Sequence, residues 1–226
     1  MKYYFLMLIS LLFFFSKNYA QKSLFDDPNV VFKNKEGKVL TKEEISKFGK
    51  GPFKMKTEVI DSVRKEITII PISQKEIETI EQEKEKYVNK IKNKPLPEFN
   101  FQDINGNVFQ LSNLKGKVVV LNFWFIECKP CVAEIPALNR VVKSRPDIVF
   151  LAPTFNSKED VKKFLEHHPF NYNVISDASN YTDKLKISNY PTHIIIDKEG
   201  IVKDVILGGD TNHMDEILKK KIEAIK

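Results

Sequence analysis

The chain has 226 residues, 36 Lys plus Arg against 30 Asp plus Glu, a formal net charge of +6 and two cysteines. Three arginines, Arg64, Arg140 and Arg145, and lysines mixed evenly with glutamates make a solvated surface rather than a phosphate-binding one, which argues against nucleic acid as a partner. Two cysteines in so long a chain also exclude a disulfide-stapled scaffold.

The first twenty residues, MKYYFLMLISLLFFFSKNYA, place a lysine before an apolar run and end in the small residue Ala20. That layout predicts a secretory signal over residues 1–20. The apolar run is about 13 residues, short of the roughly 20 that span a bilayer, so cleavage is expected rather than a permanent anchor. The mature chain is expected to start at Gln21 and to be exported, to the periplasm if the cell is Gram-negative.

Residues 21–94 read as a small α+β extension of unassigned role. NVVFKNKEGKVL predicts a hairpin turning at Glu36-Gly37, followed by a short helix capped by Thr41 with Glu44 three residues on. FKMKTEVI (53–60) and RKEITIIPI (64–72) alternate as two strands. Ser73 and Glu76 form a capping box for a helix over 74–92, with Ile77, Ile80, Tyr87, Val88 and Ile91 at helical spacing. That stripe predicts a face docked on the neighbouring domain, or else a dimer seam.

Pro95 and Pro97 mark the boundary of a second domain, 95–226, in which strands alternate with helices as in an α/β fold. A strand over 98–103, an Asn105-Gly106 turn and a strand over 108–111 come first. VVVLNFWF (118–125) is apolar on both faces apart from Asn122, which predicts a buried central strand. A helix follows from Cys128 to about Val142, with Pro136 predicting a kink. Strand DIVFLAPTF, a capped helix over 157–167, strand YNVIS, a short helix over 180–187, strands NYPTHIIID and IVKDVILGG, and a last helix over 212–224 complete the chain.

Both cysteines lie in WFIECKPCVAEIP, as Cys128-x-x-Cys131. Bonding them closes too small a loop to constrain the unfolded chain much, so chemistry explains the pair better than architecture. A helix N-terminus offers free N–H groups and partial positive charge, which stabilise a thiolate. Cys128, at the frayed end, is expected to be exposed and attacking, and Cys131, deeper in the first turn, resolving. Zinc would need two further ligands that the four histidines do not supply in matching spacing. A peroxidase would want a threonine in the turn before its reactive cysteine, where Phe125, Ile126 and Glu127 stand. Lys129 assists the Cys128 thiolate, Glu127 and Glu134 oppose it, and Pro130 has no N–H to offer the sulfur.

FWFIECKPC followed by VAEIP, with NYPTHIIIDKEG downstream, resembles the thioredoxin superfamily and, within it, the exported TlpA/ResA-like thiol-disulfide oxidoreductases. The resemblance covers about 95–226. It implies a thioredoxin-like α/β fold with a mixed sheet of about five strands, a redox pair Cys128 and Cys131, a backing Trp124, and an acidic Glu134 that handles protons. It also implies a cis proline at Pro191 followed by Thr192. A proline there leaves the Tyr190 backbone free to pair with an extended substrate, so a groove over Trp124, Lys129, Pro130, Tyr190, Pro191 and Thr192 is expected. Two departures stand out: Glu127 where most relatives have Trp, and Asn122 where many thioredoxins have a buried Asp. The implied function is exchange with protein disulfides or dithiols, with no bound cofactor. The resemblance favours a reductant fed by an upstream electron donor, in the membrane or outside it, and some such reductants serve cytochrome c maturation. A redox-inert binding module or a disulfide-forming oxidant are the alternatives.

Overall fold

The structure, a computed structural model, describes residues 28–48, 53–60, 64–208 and 213–225. The expected secretory signal lies outside the described residues. The chain forms two compact units, 1–82 and 83–226.

In the first unit, strand β1 (Val30–Lys33), helix α1 (Lys42–Phe48) and strands β2 (Phe53–Val59) and β3 (Lys65–Pro71) build a three-stranded sheet in the order β1-β3-β2. The β2–β3 pair is antiparallel, as the alternation predicts. The expected hairpin after β1 is present: Asn34 N–H donates to Lys38 O, Leu40 N–H to Phe32 O, Lys33 bridges Val39, and Gly37 takes a φ of +85° in the turn. On its other edge β1 runs parallel to β3, a pairing that no hairpin pattern predicts. Thr41 and Glu44 form the expected reciprocal cap, at 3.2 and 2.9 Å. Phe32, Phe53, Ile67 and Ile69 form this unit's core.

Helix α2 (Gln74–Ile91) starts at a Ser73–Glu76 capping box and runs across the division between the units. Its C-terminal half belongs to the second unit, where Tyr87, Val88 and Ile91 pack on that unit's core and the Tyr87 hydroxyl donates to the Leu185 carbonyl at 3.1 Å. A dimer seam along α2 would therefore lack those three residues. The connector after α2 is stitched to the chain at 200–202: Asn93 N–H donates to Val202 O and Val202 N–H to Lys94 O.

The second unit continues with a hairpin of β4 (Asn100–Gln102) and β5 (Val108–Gln110). Buried Asp103 shapes its turn by accepting from the N–H groups of Asn105 and Asn107, and Gly106 takes the left-handed φ of +94° that the turn requires. Next come β6 (Val119–Phe123), α3 (Lys129–Ser144), β7 (Val149–Pro153), α4 (Lys158–Leu165), β8 (Asn173–Ile175), α5 (Ser179–Leu185), β9 (Thr192–Ile196), β10 (Val202–Leu207) and α6 (Met214–Glu223). Pro136 lies inside α3.

The five-stranded sheet has the order β10-β9-β6-β7-β8, with β6, β7 and β8 parallel and β9 and β10 antiparallel to their neighbours. Every residue of β6 and β9 is buried, so these central strands are covered on both faces. Alternation sends Val119, Leu121 and Phe123 of β6 and Ile194 and Ile196 of β9 into one apolar cluster with Tyr181 and Leu185 of α5. Val120, Asn122, His193 and Ile195 face the other way, toward α3, which packs on α6.

Candidate active site

β6 delivers the chain to Trp124, whose backbone bridges to Thr154 beyond β7. Ile126 N–H donates to Asn156 Oδ1 at 3.0 Å, and the Thr154 hydroxyl holds the same oxygen at 2.8 Å. The loop after β6 is thereby clamped to the loop after β7. Cys128 is the N-cap of α3, with Lys129 and Pro130 as its first two helical residues. Cys128 and Cys131 are joined in a disulfide with Cα atoms 5.3 Å apart, and Cys128 Sγ accepts the Cys131 N–H at 3.3 Å.

Both cysteines are 1% exposed in this bonded form. This corrects the expectation of an exposed Cys128. A capping side chain curls back over the first turn to reach the N–H three residues on, and the bond to Cys131 holds it there. Lys129 and Glu127 are exposed and Pro130 half-buried.

Distant segments meet here because β6 and β9 are antiparallel with Phe123 opposite Thr192. The end of β6 and the start of β9 share one end of the sheet, which brings Tyr190-Pro191 to the redox loop. The Tyr190-Pro191 bond is cis, as the resemblance implies. Thr192 is buried, with its hydroxyl donating to Asn189 O at 2.6 Å. The half-buried Tyr190 ring stands edge-on to Phe125 at 5.1 Å, and Phe125 stacks on Phe155, which is 39% exposed. Burial, with the Asp183 charge adding, pushes the Tyr190 phenol up to about 12, so it keeps its proton.

Trp124 was expected in the groove, but its side chain lies inside. It is fully buried against Phe164 and Phe170, and its indole N–H donates to the Ala152 carbonyl at 3.3 Å. Alternation along β6 turns it inward, and a buried indole N–H needs a partner. Trp124 thus packs in the core beside Phe164 of α4 rather than lining a groove.

Glu134, one turn after Cys131, is wholly buried, as is His193. Asn122 Nδ2 lies 2.9 Å from Glu134 Oε1 and 3.2 Å from His193 Nδ1, and His193 Nε2 lies 3.1 Å from Glu134 Oε1 and 3.3 Å from Oε2. Burial, reinforced by the charge of Glu134, pushes the Tyr172 phenol well above its ordinary value. His193 was not picked out in the sequence as a site residue. A signal existed, since Asn122 and His193 are the polar exceptions in two apolar strands, and buried polar groups must find one another. Among the described residues no three His, Cys, Asp or Glu side chains converge as metal ligands, and no helix is long and apolar enough to cross a membrane.

Residues 93–205 match the AhpC/TSA family. The chain is 30% identical over 132 residues to the thioredoxin-like protein YneN of Bacillus subtilis, covering 56% of this chain and 74% of that protein. It is 32% identical over 134 residues to the thiol-disulfide oxidoreductase ResA of Geobacillus kaustophilus, covering 58% and 75%. A crystal structure of a Chlorobium tepidum protein assigned as a thiol:disulfide interchange protein DsbE is similar at 28% identity and a TM-score of 0.54, over 59% of this chain and 96% of that one. With the sheet order, the Cys-x-x-Cys disulfide at a helix start and the cis proline beside it, these matches place the chain in the AhpC/TSA family, as a thioredoxin-fold member of its thiol-disulfide oxidoreductase branch.

Proposed function

We propose that this protein is an exported reductant of protein disulfides, working in the periplasm if the cell is Gram-negative. The observation that carries the reading is the Cys128–Cys131 disulfide at the start of α3, with the Cys131 N–H on Cys128 Sγ and a buried carboxylate one turn further on. In the reduced protein the Cys128 thiolate attacks a substrate disulfide, and one substrate sulfur leaves as a thiolate. Cys131 then gives its proton to Glu134 and attacks Cys128 Sγ, the mixed disulfide breaks, and the second substrate thiolate leaves. The protein ends in the bonded form, and an upstream dithiol donor, in the membrane or outside it, returns it to the start. An extended substrate segment would lie over Tyr190, Pro191 and Thr192, flanked by Lys129 and Pro130. The chemistry uses no bound cofactor, and cytochrome c maturation is one process such a reductant serves.

The direction follows from charge. Strong oxidants, at about −120 mV against about −270 mV for thioredoxin, depend on a strongly stabilised thiolate. Here Glu127 and Glu134 oppose the helix dipole, Lys129 alone assists it, and Pro130 has no N–H for the sulfur. Equilibration with glutathione is expected to give a potential nearer thioredoxin. A value above about −150 mV on that scale would make the protein an oxidant instead.

The burial of both sulfurs favours one rival, a redox-inert binding module with a permanent disulfide. Insulin reduction separates the two. The wild type should be active and Cys128→Ser silent, whereas an inert module predicts no difference between them.

A further inference from the structure

The proposed cycle gives Glu134 the Cys131 proton but leaves its buried partner, His193, without a task. We infer that His193 is a positioning residue of the redox site, whose Nε2–H holds the Glu134 carboxylate in place as the acceptor for the Cys131 proton. The inference rests on the function proposed above.

The Asn122 amide nitrogen carries two hydrogens and accepts none. It lies 2.9 Å from Glu134 Oε1 and 3.2 and 3.4 Å from His193 Nδ1 and Nε2, so its contact does not single out one ring nitrogen. The ring nitrogen that faces the carboxylate is Nε2, 3.1 Å from Oε1 and 3.3 Å from Oε2, and a hydrogen there has both oxygens to receive it. A ring N–H at Nε2 and carboxyl oxygens that accept it satisfy these contacts together. Cys131 and Glu134, three residues apart, share the buried face of α3, so the thiol is the neighbouring proton source.

In the resolving step the Cys131 S–H breaks and its proton goes to Glu134. The sulfur pair forms the bond to Cys128 Sγ, and the departing substrate sulfur keeps the pair of the broken bond and takes a proton from water. Without the His193 donor, Glu134 keeps only the Asn122 bond. A buried carboxyl group left with one donor is poorly held, and its oxygens no longer stay where the Cys131 proton must arrive. Other titratable groups on the packed elements do not compete. Tyr172 stays a phenol, and Arg140 of α3 bonds Asp215 of α6 at 2.8 Å.

The test follows release of a peptide disulfide probe in a single turnover from about pH 5 to about pH 8, the range in which imidazole titrates. His193→Leu is expected to slow release roughly tenfold near neutral pH, a fraction of the roughly 100-fold or more that loss of a general base costs. His193→Gln, whose amide restores an N–H toward Glu134, should recover most of that loss. Release from His193→Leu that matches wild type at every pH, or no recovery with Gln, overturns the inference. Cys131→Ser must trap the same probe as a mixed disulfide; if it does not, the proposed cycle fails rather than the role of His193. Should His193→Leu not fold, nitrogen-15 NMR of the oxidised wild type decides the matter. The Nε2–H tautomer is expected, and a doubly protonated ring or an Nδ1–H tautomer sinks the inference.

Discussion

The two faces of β6 and β9 belong to the same ten residues and are equally buried, yet they are built differently. The face toward α5 is apolar apart from Thr192 at its end, with Val119, Leu121, Phe123, Ile194 and Ile196 closing one cluster. The face toward α3 has Asn122 and His193 at its centre, bonded to Glu134. An apolar face tolerates loss of a methylene by relaxing around it, at a cost that scales with the space left behind. A buried polar cluster fails differently, because removing one member strands the others without water to replace it. The two faces therefore hold the domain together in different ways, one by packing alone and the other by packing around a bonded polar cluster.

Four measurements would break or sharpen that contrast. The largest effect is expected from His193→Leu, which leaves the buried Glu134 with only its Asn122 bond and should cost about 3–5 kcal/mol in urea unfolding. A loss below about 1 kcal/mol would mean that the pair carries no electrostatic weight. On the opposite face, Leu121→Ala should cost about 2–5 kcal/mol through its cavity, with the reduction potential of the cysteine pair unmoved. A shifted potential would show that the faces are coupled. Replacing the whole cluster, with Asn122→Leu, Glu134→Met and His193→Leu together, should bring stability back to within about 1–4 kcal/mol of wild type, on either side, while release of a bound substrate slows. If the triple variant is as unstable as the three single losses added, the cluster is not a unit.

The smallest effect lies away from both faces, at Asp204 on β10. Burial pushes its carboxyl up, but the Lys221 hydrogen bond, the Val205 N–H and the charges of Lys221 and Lys92 outweigh burial and leave it below its ordinary value. A depressed carboxyl stabilises the fold above the unfolded value of about 3.9, and that contribution disappears as pH falls through the folded value. The Tm gap between wild type and Asp204→Asn should therefore close as pH falls from about 5 to about 3. A gap that stays constant would remove Asp204 from the account.

What could be read in the sequence was local or periodic. β6 announced itself because a strand covered on both faces has no reason to alternate, and the Ser73–Glu76 box marked α2 because capping needs only residues three apart. Cys128 and Cys131 were legible for the same reason. The parallel pairing of β1 with β3 was not, since hairpin rules join sequence neighbours and say nothing about a strand returning from over thirty residues away. The Asn122–Glu134–His193 cluster spans separations of 12 and 71 residues, and no periodicity encodes it. Charge weighting was also hidden. Glu127 and Glu134 look alike in sequence, but the first is exposed and screened by water and the second is sealed.

The Asn156 clamp has a consequence for how encounters end. It fixes Ile126, two residues before the redox pair, and the chain leading to Asn156 presents Phe155 beside Phe125 and Tyr190. With its own rim already ordered, the protein gives up little conformational freedom on docking, so the entropic cost of complex formation falls on the partner. If the protein reduces disulfides as proposed, such a surface favours partners whose segments can still rearrange over a cystine locked inside a finished fold.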